Sequence, residues 1–267
     1  MFDVNVNGVK NLCELCKRKD VEKLIHLSSI GVYGKVKNEA VTEYSRKRPK
    51  NNYEQSKYYG ELVAFSYSNY FKVLAIRPAA VYGIGSLHKN VLPLFNMLKH
   101  KNIYSFKAGP RLSHVHVEDV ARAVLFLAEN KNAHGAYNLA DDVPINTKEL
   151  VSTLLEPLGL TVKPIIPYSK SLVLLLKYFA QSLPKKVYSF LNKRVQYKWL
   201  EFCRKNEILY GLNPRIDPVW LDYLVNDKVF SNEKIKSLGF KFKWPDPRPG
   251  LMEMVENYIS QTLLFKL

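Results

Sequence analysis

Tyr53 and Lys57, four residues apart in the stretch NNYEQSKYYGE, are a pair whose types and spacing could move a proton. On a helix, residues four apart share a face, with Cβ atoms about 5–6 Å from each other. A phenol held beside an ammonium gives up its proton more readily, because the positive charge favours the phenolate. Such a pair can serve as a general acid or base near neutral pH. The same spacing recurs at Tyr33 and Lys37, just after SSIGVYG, where a loop without acid/base duty is expected. Spacing alone therefore does not separate a working pair from a solvated helix face.

The elements that would position such a pair can be read along the chain. Residues 1–18 read as helix, KLIHLSS (23–29) as a buried strand, and 52–69 as the helix carrying Tyr53 and Lys57. FKVLAIRPAAVYG (71–83) reads as a strand running into a loop, followed by a helix around 90–100. SHVHVEDVARAVLFLAEN (113–130) reads as a short strand leading into a helix. Asp119 stands near the start of that helix, where a carboxylate suits the dipole and the free amides. GAYNLA (135–140) reads as another strand. Strands alternating with helices predict an α/β fold, a parallel sheet wrapped by helices. Beyond about residue 142 the pattern turns mostly helical and more basic, which predicts a domain over 1–142 and a smaller lobe over 143–267, with interleaving segments allowed.

The chain has 267 residues, 47% of them hydrophobic, enough to bury a core. Three cysteines without a charged-then-apolar leader favour a reducing, cytoplasmic location. Cys13 and Cys16 form C-x-x-C inside a helical pattern that offers no second ligand pair nearby. They are read as buried helix residues rather than a metal or redox site, and no metal is expected. The longest apolar run, LVLLL at 172–176, is far short of the roughly 20 residues that span a bilayer. The net charge is +16, and from Lys163 to Arg215 eleven basic residues face only Glu201 and Glu207. Interleaved leucines and aromatics there suggest amphipathic helices, which leaves peripheral membrane contact through 163–215 open beside a plain solvated face. With no nucleic-acid motif present, nucleic acid is not an expected partner.

In open parallel sheets, ligands bind beyond the carboxyl ends of the strands. HLSSIGVYG ends one strand with two serines, and IRPAAVYG ends the next with a proline and a tyrosine–glycine pair. Both should open onto one crevice beside the start of the Tyr53 helix. A serine hydroxyl can hold a substrate oxygen while the tyrosine moves its proton. This is carbonyl/alcohol chemistry, which normally needs a hydride carrier.

These motifs, in this order, resemble the extended short-chain dehydrogenases/reductases, the superfamily of NAD-dependent epimerases, dehydratases and hydroxysteroid dehydrogenases. NVNGVKNLCELCKRKDVEKLIHLSSIGVYG is similar to the family's passage from a helix with N-V-x-G into the serine strand. NYEQSKYYGE is similar to its Y-x-x-x-K helix, IRPAAVYG to its nicotinamide-side loop, and VHVEDVARA with GAYNLADD to later segments. The resemblance implies Tyr53 as acid/base, with Lys57 easing its proton loss and binding the nicotinamide ribose. It implies that Ser29 holds the reacting oxygen and that Asn5 completes the family's tetrad. Ser28, Pro78, Ala80 and Val81 would flank an NAD or NADP cofactor. Strand-end capping by Ser28 and Ser29, and helix capping or kinking by Asn5, are the plain alternatives.

One departure from the family is large. Its opening strand and glycine-rich G-x-x-G-x-x-G turn have no counterpart here, since the first glycine is Gly8. Such a turn lets phosphates approach backbone amides. Two βαβ units of about 30 residues suggest that roughly 70–90 residues are absent ahead of Met1. An incomplete doubly wound Rossmann-like sheet with weak NAD(P) affinity is the resulting expectation. Three functions stay open. They are a sugar-nucleotide epimerase or dehydratase, a 3-beta-hydroxysteroid-dehydrogenase-like enzyme acting on a sterol-like alcohol, and a non-catalytic remnant or binding subunit. A homodimer is a further option.

Overall fold

The computed structural model describes residues 1–34, 40–86, 92–97 and 102–264. In chain order the strands are β1 (Lys23–Leu27), β2 (Lys72–Pro78), β3 (Ala80–Tyr82), β4 (Asn102–Phe106), β5 (Arg111–Leu112), β6 (His114–His116), β7 (Gly135–Leu139), β8 (Ile145–Asn146) and β9 (Thr161–Ile166). The helices are α1 (Gly8–Arg18), α2 (Asn52–Ser66), α3 (Leu92–Asn96), α4 (Val117–Glu129), α5 (Thr147–Leu155), α6 (Lys170–Ser182), α7 (Lys185–Lys205), α8 (Glu233–Lys236) and α9 (Pro247–Ser260). The chain divides into two compact units whose segments interleave. One holds Met1–Val81, Ser113–Val143 and Val229–Pro245, and the other Tyr82–Leu112, Pro144–Lys228 and Asp246–Leu267.

The first unit is built on a parallel sheet in the order β1-β2-β7, with Leu27 opposite Ile76 and Arg77 opposite Asn138. Side chains on a strand alternate between faces. Val73 of β2 accordingly packs with Cys13, Cys16 and Ala64 of α1 and α2, while Leu74 and Ile76 pack with Ala123 and Leu127 of α4. Helices therefore cover both faces, as a parallel sheet requires. Cys13 and Cys16 are free, buried thiols within that packing, and burial raises the Cys13 pKa.

Two local features set how α2 lies. Asn51 accepts a hydrogen bond from Glu54 N at 2.9 Å and so caps the helix start. Ser56, Gly60 and Ala64, spaced four apart, form a buried stripe of small side chains. A Cβ on Gly60 would overlap the Asn5 carbonyl, so glycine there is what admits the N-terminal segment. That segment, Asp3–Asn7, is a π-helical turn running straight into α1. α2 ends at Ser66, three residues short of the expected end, and Tyr67 donates to Glu14 Oε1 at 2.6 Å, tying it to α1.

Other sequence expectations also shift. β1 stops at Leu27 because the chain after Ser28 turns into a 3₁₀ helix at Ile30–Tyr33. The stretch after Pro78 holds the strand β3 rather than a plain loop. The helix expected around 90–100 is described only as α3, its flanks lying outside the described residues. Asp119 stands in the first turn of α4, as expected, but does not cap it. It is fully buried and accepts hydrogen bonds from Lys243 N (2.9 Å), Trp244 N (2.8 Å) and Arg122 (2.6 Å), while His116 caps α4.

The second unit is mostly helical, around a core that includes Tyr82, Leu155, Trp199, Leu251, Met254 and Tyr258. It also contains a parallel pair, β4 with β9, which the sequence reading did not anticipate. Pro164 in β9 lacks an N–H to donate, and the register shifts just beyond it, between Ser105 and Phe106. α5 starts with a full capping box between Asn146 and Glu149.

Candidate active site

The expected site residues all belong to the first unit. Ser29 is extended and caps the 3₁₀ turn, its Oγ accepting from Gly31 N at 3.0 Å. A hydroxyl that accepts there still has its own proton to donate. The backbone N of Ser28 donates to Ile76 O at 2.7 Å, which holds the chain to β2 one residue beyond the end of β1. The Oγ of Ser28 is buried and has no hydrogen-bond partner among the described residues.

The start of α2 meets this turn. A Cβ on Gly31 would lie 3.3 Å from Ser29 Oγ and 3.1 Å from Cγ of Glu54, the neighbour of Tyr53. One turn further on, Lys57 Nζ donates to Leu27 O at 3.0 Å, leaving two of its three ammonium hydrogens. Partial burial lowers the Lys57 pKa. Tyr53 is 45% exposed on the same helix face. Asn5 donates to Ser56 Oγ at 3.0 Å, and Ser56 donates to the Tyr53 carbonyl at 2.8 Å. Hydrogen bonds and packing thus gather Ser28, Ser29, Lys57 and Asn5 with the backbone of Tyr53 at the carboxyl end of β1. Pro78 ends β2 beside them and is buried, Ala80 is half-buried and Val81 is exposed.

Tyr33 is built for a different purpose. It is 2% exposed, and its hydroxyl accepts from Arg77 Nη1 and donates to Asn138 Oδ1, each at 2.7 Å. Arg77 also grips Glu61 through Nε at 3.0 Å and through Nη2, while Asn138 N donates to Glu43 Oε1 at 2.9 Å. Burial pushes the Tyr33 pKa up to about 12, so the phenol stays protonated and locked. Lys37, its partner in spacing, lies outside the described residues. The sequence reading missed this network, although an arginine inside the apolar strand VLAIRP signals that a buried partner is needed. It also missed His26, buried beneath α2, whose pKa burial and then Lys57 push down to about 4.

Residues 1–140 match the sequence profile described as the NAD dependent epimerase/dehydratase family. The chain belongs to that family. Among curated relatives, dTDP-glucose 4,6-dehydratase of Streptomyces griseus is 27% identical over 160 residues, covering 58% of this chain and 49% of that protein. Human short-chain dehydrogenase/reductase family 42E member 1 is 26% identical over 229 residues, covering 77% and 56%. The chain therefore spans about half the length of the curated relatives it matches. Among solved structures, Bacillus anthracis dTDP-glucose 4,6-dehydratase in complex with NAD superposes with a TM-score of 0.65 at 19% identity, over 99% of this chain and 70% of that one. Thermus thermophilus UDP-glucose 4-epimerase, also with NAD, gives 0.61 at 22%, over 97% and 70%. These likenesses establish the Rossmann-like α/β fold of the family.

Proposed function

We propose that this chain carries the acid/base site of an NAD(P)-dependent sugar-nucleotide epimerase or dehydratase, acting at a hydroxyl or carbonyl carbon. The observation that carries the reading is the junction of β1 with α2, where Lys57 holds the Leu27 carbonyl while the Ser29 turn packs on Glu54. Tyr53, a residue 45% exposed, is the group that exchanges the proton. Lys57 carries its ammonium one helical turn further on, anchored to Leu27 O. Ser29, whose Oγ already accepts from Gly31 N, donates its hydroxyl proton to the substrate oxygen. Asn5 positions the start of α2 through Ser56 and the Tyr53 carbonyl.

The donors present suit the nicotinamide side of NAD or NADP. Lys57 keeps two ammonium hydrogens and Tyr53 its hydroxyl for a ribose, with Ser28, Pro78, Ala80 and Val81 along the same strand ends. When bound, the cofactor supplies or accepts the hydride. We assign the unit with the parallel sheet to the cofactor and the mostly helical unit to the sugar nucleotide, whose diphosphate its basic residues would balance. Action on a sterol-like alcohol is the second reading, favoured by the exposed leucines of α6.

The test is incubation of the protein with dTDP-glucose or UDP-glucose at millimolar NAD, followed by NMR of the sugar. A 4-keto product or the C4 epimer is expected, absent with Tyr53→Phe or Lys57→Met. Undiminished turnover by Tyr53→Phe would overturn the site. Conversion of a sterol alcohol alone would replace the substrate class, and nucleotide-sugar binding without conversion would leave a binding subunit.

A further inference from the structure

In α6, Leu172, Leu175, Leu176 and Phe179 follow the spacing i, i+3, i+4, i+7, which places them on one helix face, and Leu183 follows directly after the helix. All five are 44–58% exposed. The side carrying Val173 and Lys177 packs inward, while Leu174 and Tyr178 are exposed as well. Val173 is buried, Lys177 pairs with Asp222, and Lys170 donates to Asn226 Oδ1 at 2.7 Å. Just ahead of the helix, Tyr168 donates to Leu224 O at 2.6 Å. α6 is thus fastened with a lysine turned inward and its leucines turned outward, the reverse of an ordinary surface helix.

The turn into α7 is fixed as well, by Tyr188 donating to Ala180 O at 2.6 Å. Directly after Leu183 come exposed Lys185 and Lys186, and further along α7 lie exposed Lys193, Arg194, Lys198, Arg204 and Lys205. From Lys170 to Lys205 nine basic residues stand against Glu201 alone, a net +8. Phe190, 56% exposed with Arg194 stacked 4.8 Å over its ring, and Tyr197 add aromatic surface to α7.

We propose that α6 and α7 dock this protein onto an anionic lipid bilayer. The apolar stripe of α6 enters the headgroup/acyl boundary and the α7 cations meet the lipid phosphates and carboxylates. Charge complementarity selects this occupant. A second copy of the same surface would bring two +8 patches together. A nucleic acid would satisfy the cations and leave five leucine and phenylalanine side chains in water. The helix lies on the membrane and does not cross it, because 13 residues rise about 20 Å against a hydrocarbon core of about 30 Å. No helix among the described residues is long and apolar enough to span. The inference does not depend on the assignment of the catalytic residues.

The experiment is co-sedimentation of the full chain with phosphatidylcholine vesicles, with and without about one third phosphatidylserine. Binding to the anionic vesicles is expected, weakening as salt rises. Leu172→Ser/Leu175→Ser/Phe179→Ser and, separately, Lys185→Glu/Lys186→Glu should each weaken it about tenfold or more. These side chains are exposed, so unchanged circular dichroism and melting are expected for both variants. An independent readout is Phe179→Trp, whose emission should shift to the blue on anionic vesicles. Equal binding to neutral and anionic vesicles would overturn the proposal, as would no binding to either. The apolar variant turning a dimer into a monomer while vesicle binding is unchanged would assign the face to a second copy. Retention on RNA or DNA in place of vesicles would assign it to nucleic acid.

Discussion

Tyr33 and Tyr53 share the spacing Y-x-x-x-K, and the fold treats them in opposite ways. Tyr33 is sealed under the sheet ends with its hydroxyl spoken for by Arg77 and Asn138, and burial pushes its pKa up to about 12. Tyr53 opens a helix, is half-exposed, and stands one turn from a lysine that is anchored to β1 by only one of its hydrogens. The first arrangement spends every polar valence on stability. The second leaves Lys57 with unspent donors, as the proposed site requires.

The largest expected effect of breaking this contrast is in activity. Tyr53→Phe should lower turnover by about 10²–10⁴-fold, the usual worth of a general acid/base, while unfolding free energy changes by less than about 0.5 kcal/mol. Product NMR and urea unfolding read the two quantities. Arg77→Met should do the reverse. It leaves Glu61 charged and buried without its partner, a loss of about 3–5 kcal/mol in urea unfolding.

His26 sharpens the comparison through pH. Its folded pKa lies near 4 against an ordinary 6.5, so the unfolded chain binds the extra proton between those values. Its contribution is present above about pH 6.5 and is lost as pH falls towards 4, in total roughly 3 kcal/mol. Urea midpoints measured at pH 7 and pH 4.5 should therefore fall more for the wild type than for His26→Leu. The smallest effect is that of Tyr33→Phe, which strands the acceptor of Asn138 and one bond of Arg77. A loss of about 1–3 kcal/mol is expected in the same assay, with turnover per folded molecule retained.

Much of the first unit was legible because its signals are local. Helix periodicity, the apolar strand runs and the order of motifs placed α1, β1, α2, β2, α4 and β7 to within a few residues. Element ends were less legible. β1 gives way at Ser28 because Ser29 caps a 3₁₀ turn, and α2 stops at Ser66 where Tyr67 reaches Glu14. The strands β4 and β9 escaped notice because each is short, β9 carries a proline, and they pair only with one another across more than fifty residues.

By itself, the sequence determined the α/β class, the membership of the dehydratase/epimerase family, and the pairing of Tyr53 with Lys57 on one helix face, since four-residue spacing is a property of the helix alone. What only the tertiary structure decided concerns residues far apart in the chain. The partners of Arg77, the burial of His26, the service Asp119 gives to Lys243 and Trp244, and the outward turn of the α6 leucines all depend on which surface meets which. Hydrophobic pattern says that a face should be covered, but it carries no record of the distant segment that covers it, and polar groups in the interior take whatever donors that segment brings.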